Sequence, residues 1–550
     1  MSIASKTARR ASLILVGVIA AVSAADAQRP TSAVPASPDD KVIVHVLNRL
    51  GFGPAPGDIE RVRGIGLQAY IDRQLTPSRI ADDAMAARLA GFETLAMSTR
   101  QLADDYYLPA IMQRRQAGRA AAADAADPQM KTEARPAPER PVRTPGQPGA
   151  MQGERRVMAE LTQQKILRAA YSQRQLDEVM VDFWFNHFNV FAGKGPTRIY
   201  LTEYERDAIR PHVFGTFREL LGAVAASPAM LFYLDNWQSA APEGADTAMN
   251  LRRRPAARQP QMQRPPQQNR RRGINENYAR ELMELHTLGV DGGYSQKDVQ
   301  EIARAFTGWT IEMPRQGGGF RFDPRIHDDG EKVVLGVRIP RGGGSKDGEM
   351  VLDILAKHPS TARFIATKLA RRFVADEPPA ALVERAAARF TETGGDIREV
   401  VRVIVTSKEF FAPAAYRAKV KTPLEFVASA VRAAGVEVSN ALPLVQAMRD
   451  LGMPLYMCQP PTGYADKAEA WVNTGALINR MNFAVMLSGN RLRGGAGARQ
   501  GGSMDVPQER IAAEVLAGDL SENTRQTIAK ASNEPQKIAL LLGSPDFQRK

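Results

Sequence analysis

The residues with the densest chemistry lie in NENYARELMELHTLGVDGGYSQKDV, Asn275 to Val299. On a helix, Asn277, Glu281 and Glu284 fall at i, i+4 and i+7 and share one face. Two neighbouring carboxylates can divide their pKa values and act as acid and base. Arg280 stands four residues before Glu284, so an ion-pair network that locks helices together reads from the same letters. The turn that follows resembles the second half of a calcium loop. Counting from Thr287, Asp291, Gly292, Ser295 and Asp298 take positions 5, 6, 9 and 12. Thr287 and Gly289 stand where further carboxylates belong, and a capped helical hairpin accounts for the turn equally well.

Three further stretches carry reactive types. In FWFNHFNVF, His187 is flanked by Asn186 and Asn189, which suits a packed core histidine or the edge of a pocket. The loop HDDGE offers His327, Asp328, Asp329 and Glu331, an imidazole and carboxylates suited to a divalent metal. The alternative is an Asp-Gly turn with solvated charges. In LYMCQPPTGYADKAEAW, Tyr456, Tyr464 and Trp471 supply flat surfaces for a polysaccharide or peptide beside a stiff Pro-Pro turn. Cys458 is the single cysteine, which excludes an internal disulfide and a Cys-rich zinc cage. The chain has no HExxH pair, P-loop, nucleophile elbow, dinucleotide fingerprint or haem-attachment motif. RGGGSKDG, Arg341 to Gly348, lacks phosphate-loop spacing and reads as a connector.

The elements that must position these residues are mainly α-helical. Val299, Ile302, Ala303 and Phe306 form one apolar stripe, with Ser295 as N-cap and Gly308 as the stop. The preceding helix runs from about Glu276 to Leu288 and ends at Gly289. RELLGAVAASPAM, REVVRVIVTSKEF and IALLLGSPDF echo one another as buried helices closed by a serine turn. FRF and KVVLGVRI, between Ile311 and Gly344, predict a small β-hairpin-like excursion. The expected fold is therefore a multi-helical globular body with that excursion and two disordered inserts, at about 116–156 and 239–272. The second insert concentrates eight arginines and no acid between Arg252 and Arg272, so much of the net charge of +13 sits there. A basic tract without interleaved aromatics is not a nucleic-acid face, and nucleic acid is not an expected partner.

Residues 1–27 carry the order of a signal peptide: Lys6, Arg9 and Arg10, a short apolar run from Leu13 to Val22, and Ala25-Asp26-Ala27. A linker over 28–40 and a body over 41–550 follow. The expectation is a periplasmic or secreted protein cleaved near Ala27, with no transmembrane segment in the mature chain. The Arg9-Arg10 pair leaves the general secretory and twin-arginine routes both open.

Motifs separated along the chain give a resemblance. HVLNRLGFGPAPGDI, FWFNHF, NENYARELMELHTLGVDGGYS, FTGWTI, HDDGEKVVLG, HPSTARFIATKLARRFV, KVKTPLEFV and PLYMCQPPTGYADKAEAW stand in the order seen in the domain-of-unknown-function 1800 family. The resemblance runs from about His45 to the C-terminus, interrupted by the inserts. It implies exported bacterial proteins, largely helical, and supplies no catalytic residues. The leading reading is thus an exported envelope protein of undetermined biochemical activity that works with an unidentified envelope protein or polymer. One sharper alternative is a metal-dependent or acid/base hydrolase, in which Glu281, Glu284, His187 and His327 converge, with a divalent metal as candidate cofactor. Another is a polysaccharide- or peptide-binding module built on Asn186, Asn277, Tyr456, Tyr464 and Trp471.

Overall fold

A computed structural model describes residues 32–126, 153–247, 273–489 and 507–550. The signal-peptide residues, part of the linker, the middle of the first expected insert and residues 248–272 of the second lie outside the described residues. Helices account for most of the rest. The first insert is shorter than expected: Gln116–Ala126 continues a helix that begins at Leu108, and a new helix starts at Glu154.

Helix boundaries follow local capping chemistry. Ser98, Thr216, Ser295 and Thr422 each accept from the third amide of the turn that follows. Their partners Gln101, Glu219, Asp298 and Glu425 reach back to close the box. The echoed segments behave as their pattern requires. Ser227 and Ser544 cap the helices that follow the first and third copies. Ser407 donates to the Ile404 carbonyl at 2.8 Å and accepts from the Phe410 amide at 3.1 Å. The first two copies also touch at their starts, where Phe217 N donates to Gly395 O (2.8 Å) and Ile397 N to Gly215 O (3.0 Å).

The helix opened by Asn275 spans Glu276–Glu284, shorter than its apolar pattern suggests. Its tail winds on through a wider turn, with Leu288 N donating to Met283 O at 2.7 Å, before Gly289 takes a φ of +82°. The partner helix spans Gln296–Ala305. The β excursion consists of two hairpins. Trp309–Ile311 pairs antiparallel with Phe320–Phe322, and Lys332–Val334 with Val337–Ile339. Leu335 and Gly336, both at positive φ, form the tight turn of the second. Buried side chains from Ile43 to Phe547 make one continuous core.

Candidate functional site

A cavity of about 260 Å³ opens where three distant parts of the chain meet. The helix Gln175–His187 supplies Asp182, Phe183, Asn186 and His187, which its pitch places on one face. The helix Pro359–Phe373 supplies Lys368, Arg371 and Arg372. The irregular segment between the helices Leu442–Asp450 and Thr474–Ser488 closes the cavity with Tyr464, Asp466, Lys467 and Trp471.

That segment is held by side chains that grip its backbone. Asn186 Nδ2 donates to Tyr464 O (2.8 Å) while its Oδ1 accepts from Tyr464 N (2.7 Å). Asn189 Nδ2 donates to the Cys458 and Pro460 carbonyls at 2.9 and 2.8 Å. Gly463 sits at φ +72°, and a Cβ there would come within 2.2 Å of the Asn186 carbonyl. Tyr464 and Trp471 satisfy their own polar tips inside the segment, on Pro454 O (2.7 Å) and Ala465 O (2.8 Å). Their rings are thereby left as apolar wall.

The charges around the cavity are uneven. Asp182 pairs with Lys165 at 3.0 Å and Asp466 with Lys419 at 3.2 Å. Lys467 pairs with Glu377 at 2.6 Å, and Arg372 with Glu425. Lys368 has neither a hydrogen bond nor an ion pair among the described residues, and its ammonium stands over the Phe364 ring, 5.4 Å from the ring centre. Burial, with Arg371 nearby, pushes its ammonium down to about 8. His187 is buried and neutral: desolvation, with Lys368 and His286 nearby, holds it well below the usual imidazole range. Its Nε2 donates to the His286 carbonyl at 3.1 Å, and its Nδ1 has no partner.

The other expected site residues are dispersed. Of Glu281, Glu284, His187 and His327, only His187 lines the cavity. Desolvation, with Glu284 nearby, raises the Glu281 carboxyl. Glu284 accepts from the Tyr294 hydroxyl at 3.2 Å, and Arg280 turns to Gln296 at 2.8 Å instead of joining Glu284. Asn277 is exposed, on no cavity wall. Tyr456 is buried in the core, where its hydroxyl donates to Glu205 Oε2 at 2.6 Å, and it borders only a recess of about 20 Å³. Glu205 itself lies in a π-helical turn, Tyr204–Ile209, and anchors the polar network behind Lys165 and Asp182.

The metal candidates have other work. Among the described residues no group of three or more His, Cys, Asp or Glu is arranged to hold a metal ion. At HDDGE the reason is Lys332, whose buried ammonium donates to Asp328 O (2.6 Å), Gly330 O (2.8 Å) and Asp347 Oδ2 (2.6 Å). An internal cation occupies the place expected for a metal. His327 is fully buried, its Nδ1 donating to Thr307 O at 2.7 Å, and Asp328 receives both Nε and Nη2 of Arg304. Asp329 stays 3.9 Å from His327 Nε2. In the turn, Asp298 spends one oxygen on its capping box and the other on Leu335 N at 2.8 Å. Asp291 is exposed, and Thr287 is buried with its hydroxyl on Leu282 O, so no calcium loop forms. Cys458 is buried, and its thiol is pushed up to about 11 by desolvation, which disfavours a thiolate.

A family model described as "Protein of unknown function (DUF1800)" matches residues 45–549. The chain belongs to the DUF1800 family. No curated protein and no solved structure matches it. In this DUF1800 chain the cavity residues outside the sequence expectations are chiefly Asp182, Lys368, Arg371, Arg372 and Asp466. One local signal for them exists. Lys368, Arg371 and Arg372 stand at i, i+3 and i+4 in KLARRF, three like charges on one helical face, which a free-standing helix disfavours. In this chain that face lines the cavity together with Asn186, His187 and residues of the 451–473 segment.

Proposed function

We propose that this DUF1800 chain is an exported envelope protein that binds a saccharide unit of an envelope polymer in the 260 Å³ cavity. The observation that carries this reading is the cavity itself, walled by Phe183, Tyr464 and Trp471 and edged by polar groups. It lies just below the usual range of ligand pockets, a size for one sugar ring and no more. Flat aromatic faces pack against the C–H faces of sugars, and the backbone grip of Asn186 and Asn189 preforms the wall. The signal-peptide order of residues 1–27 supports export, and no described helix is long and apolar enough to cross a membrane.

Saturation-transfer NMR with cell-wall and capsular oligosaccharides tests the binding. The expected result is transfer from ring protons that is reduced at least tenfold in Tyr464→Ala. Transfer from short peptides alone would replace the sugar with a peptide segment. N-terminal sequencing of the natively expressed protein tests export, with a mature chain beginning near Gln28 as the expected result.

A further inference from the structure

We propose that the sugar unit taken by the cavity is an acidic one, a uronic acid, whose carboxylate is bound by Lys368 and Arg371. This deepens the saccharide reading above and rests on it. The argument is a balance of charge. Both acids on the cavity wall already face lysines from outside it: Asp182 faces Lys165 and Asp466 faces Lys419. Arg372 and Lys467 are likewise matched, by Glu425 and Glu377. Lys368 and Arg371 remain. Neither has an ion pair among the described residues, and one helical turn sets them side by side.

The surroundings reduce that excess without cancelling it. Lys419 Nζ is shared by two acids, Asp376 at 2.6 Å and Asp466 at 3.2 Å, which leaves one negative charge against the two positive charges of Lys368 and Arg371; Asp376 also accepts from Ala468 N at 2.8 Å. Behind the wall, one carboxylate, Glu425, pairs with both Arg372 and Lys550. Arg372 keeps Nε and Nη2 without partners, and Arg49 keeps Nε and Nη1. Clustered cations beside a cavity are costly without an anion to face.

The form of the donors favours a carboxylate. Arg371 Nε is committed to the Asp376 carbonyl at 2.9 Å, which leaves its two terminal nitrogens as a fork. A planar fork matches two carboxylate oxygens, and Lys368 adds a point charge beside it. The Tyr464 and Trp471 walls then receive the ring that bears the carboxylate.

Calorimetric titration of the full chain with D-galacturonate, D-galactose, inorganic phosphate and a free-carboxylate dipeptide tests the inference. Galacturonate is expected to bind at least tenfold more tightly than galactose. Lys368→Gln and Arg371→Gln should each lower galacturonate affinity at least tenfold, far more than they lower galactose affinity, and keep the melting temperature, while Lys368→Arg retains binding. Equal affinity for the two sugars would overturn the acid subsite and leave the saccharide reading standing. Phosphate or the dipeptide binding in a Lys368-dependent way, with galacturonate silent, would overturn the sugar acid in favour of that anion. Silence from every sugar and every anion would overturn both readings.

Discussion

Lys368 holds a charge in a place that disfavours it, and its environment sets a pH window. The groups that face it are Arg371 on its own helix, Asp466 on the closing segment, and the neutral His187 and His286. With its ammonium pushed down to about 8, it loses its proton there while a free lysine keeps one to about 10.5. Affinity for an anion should therefore fall several-fold as pH rises from 7 to 9. Lys368→Arg, always charged, should flatten that profile, which titrations at fixed ionic strength will show. Glu425 presents the converse case. It is buried and its carboxyl lies far below the usual range, because Arg372, Lys550 and the Thr422 amide outweigh its desolvation. Glu425→Ala would leave two buried cations without an anion, and an urea-unfolding loss of about 3–5 kcal/mol is expected. None of this is legible from residue types alone. Lys332 makes the same point at HDDGE: a metal-like set of oxygens becomes an internal salt bridge only once burial places the ammonium among them.

At the scale of elements, what is local was legible and what is assembled was not. The cap at Ser295 and the serine turns are each written within a few residues, and each formed. The strand Trp309–Ile311 escaped detection because three residues carry no usable period, and only its pairing with Phe320–Phe322 defines it. The cavity depends on a segment with no regular structure, fastened by Asn186 and Asn189 from more than 260 residues away in sequence. That fastening has a sharp test. Gly463→Ala adds a methyl group at positive φ and against the Asn186 carbonyl, so the segment should lift from the helix Gln175–His187. Expected outcomes are loss of ligand binding, faster proteolysis within 451–473 and a stability loss of about 1–3 kcal/mol. Unchanged affinity in that variant would mean that the segment does not shape the site.

For the whole molecule, the buried histidines contribute to the loss of stability in acid, alongside the paired carboxylates. His45 and His286 are pushed down to about 3 by desolvation, with Arg49 acting on the first and Lys368 on the second. The unfolded chain takes up those protons near 6.5, so stability is full above that value and is lost as pH falls toward 3. Thermal melts from pH 7 to 4 should show a steady fall in melting temperature. His45→Phe or His286→Phe, where it folds, should reduce its slope. The helical class and the small β excursion were legible from composition and period, while the two inserts lie largely outside the described residues. The single core was not, because it depends on which helices face one another.

The two sides of the second insert meet on the body. Ala240 N donates to Gly273 O at 3.1 Å, and Asn275 N to Ser239 Oγ at 3.2 Å. Such a closed doorway lets chain length change without disturbing what lies on either side. Thirty residues or three hundred could be spliced between these two points, because the entry and exit strands of any compact guest need only be neighbours. The protein thus carries a natural docking port for grafted modules, open to evolution and to a fluorescent reporter alike.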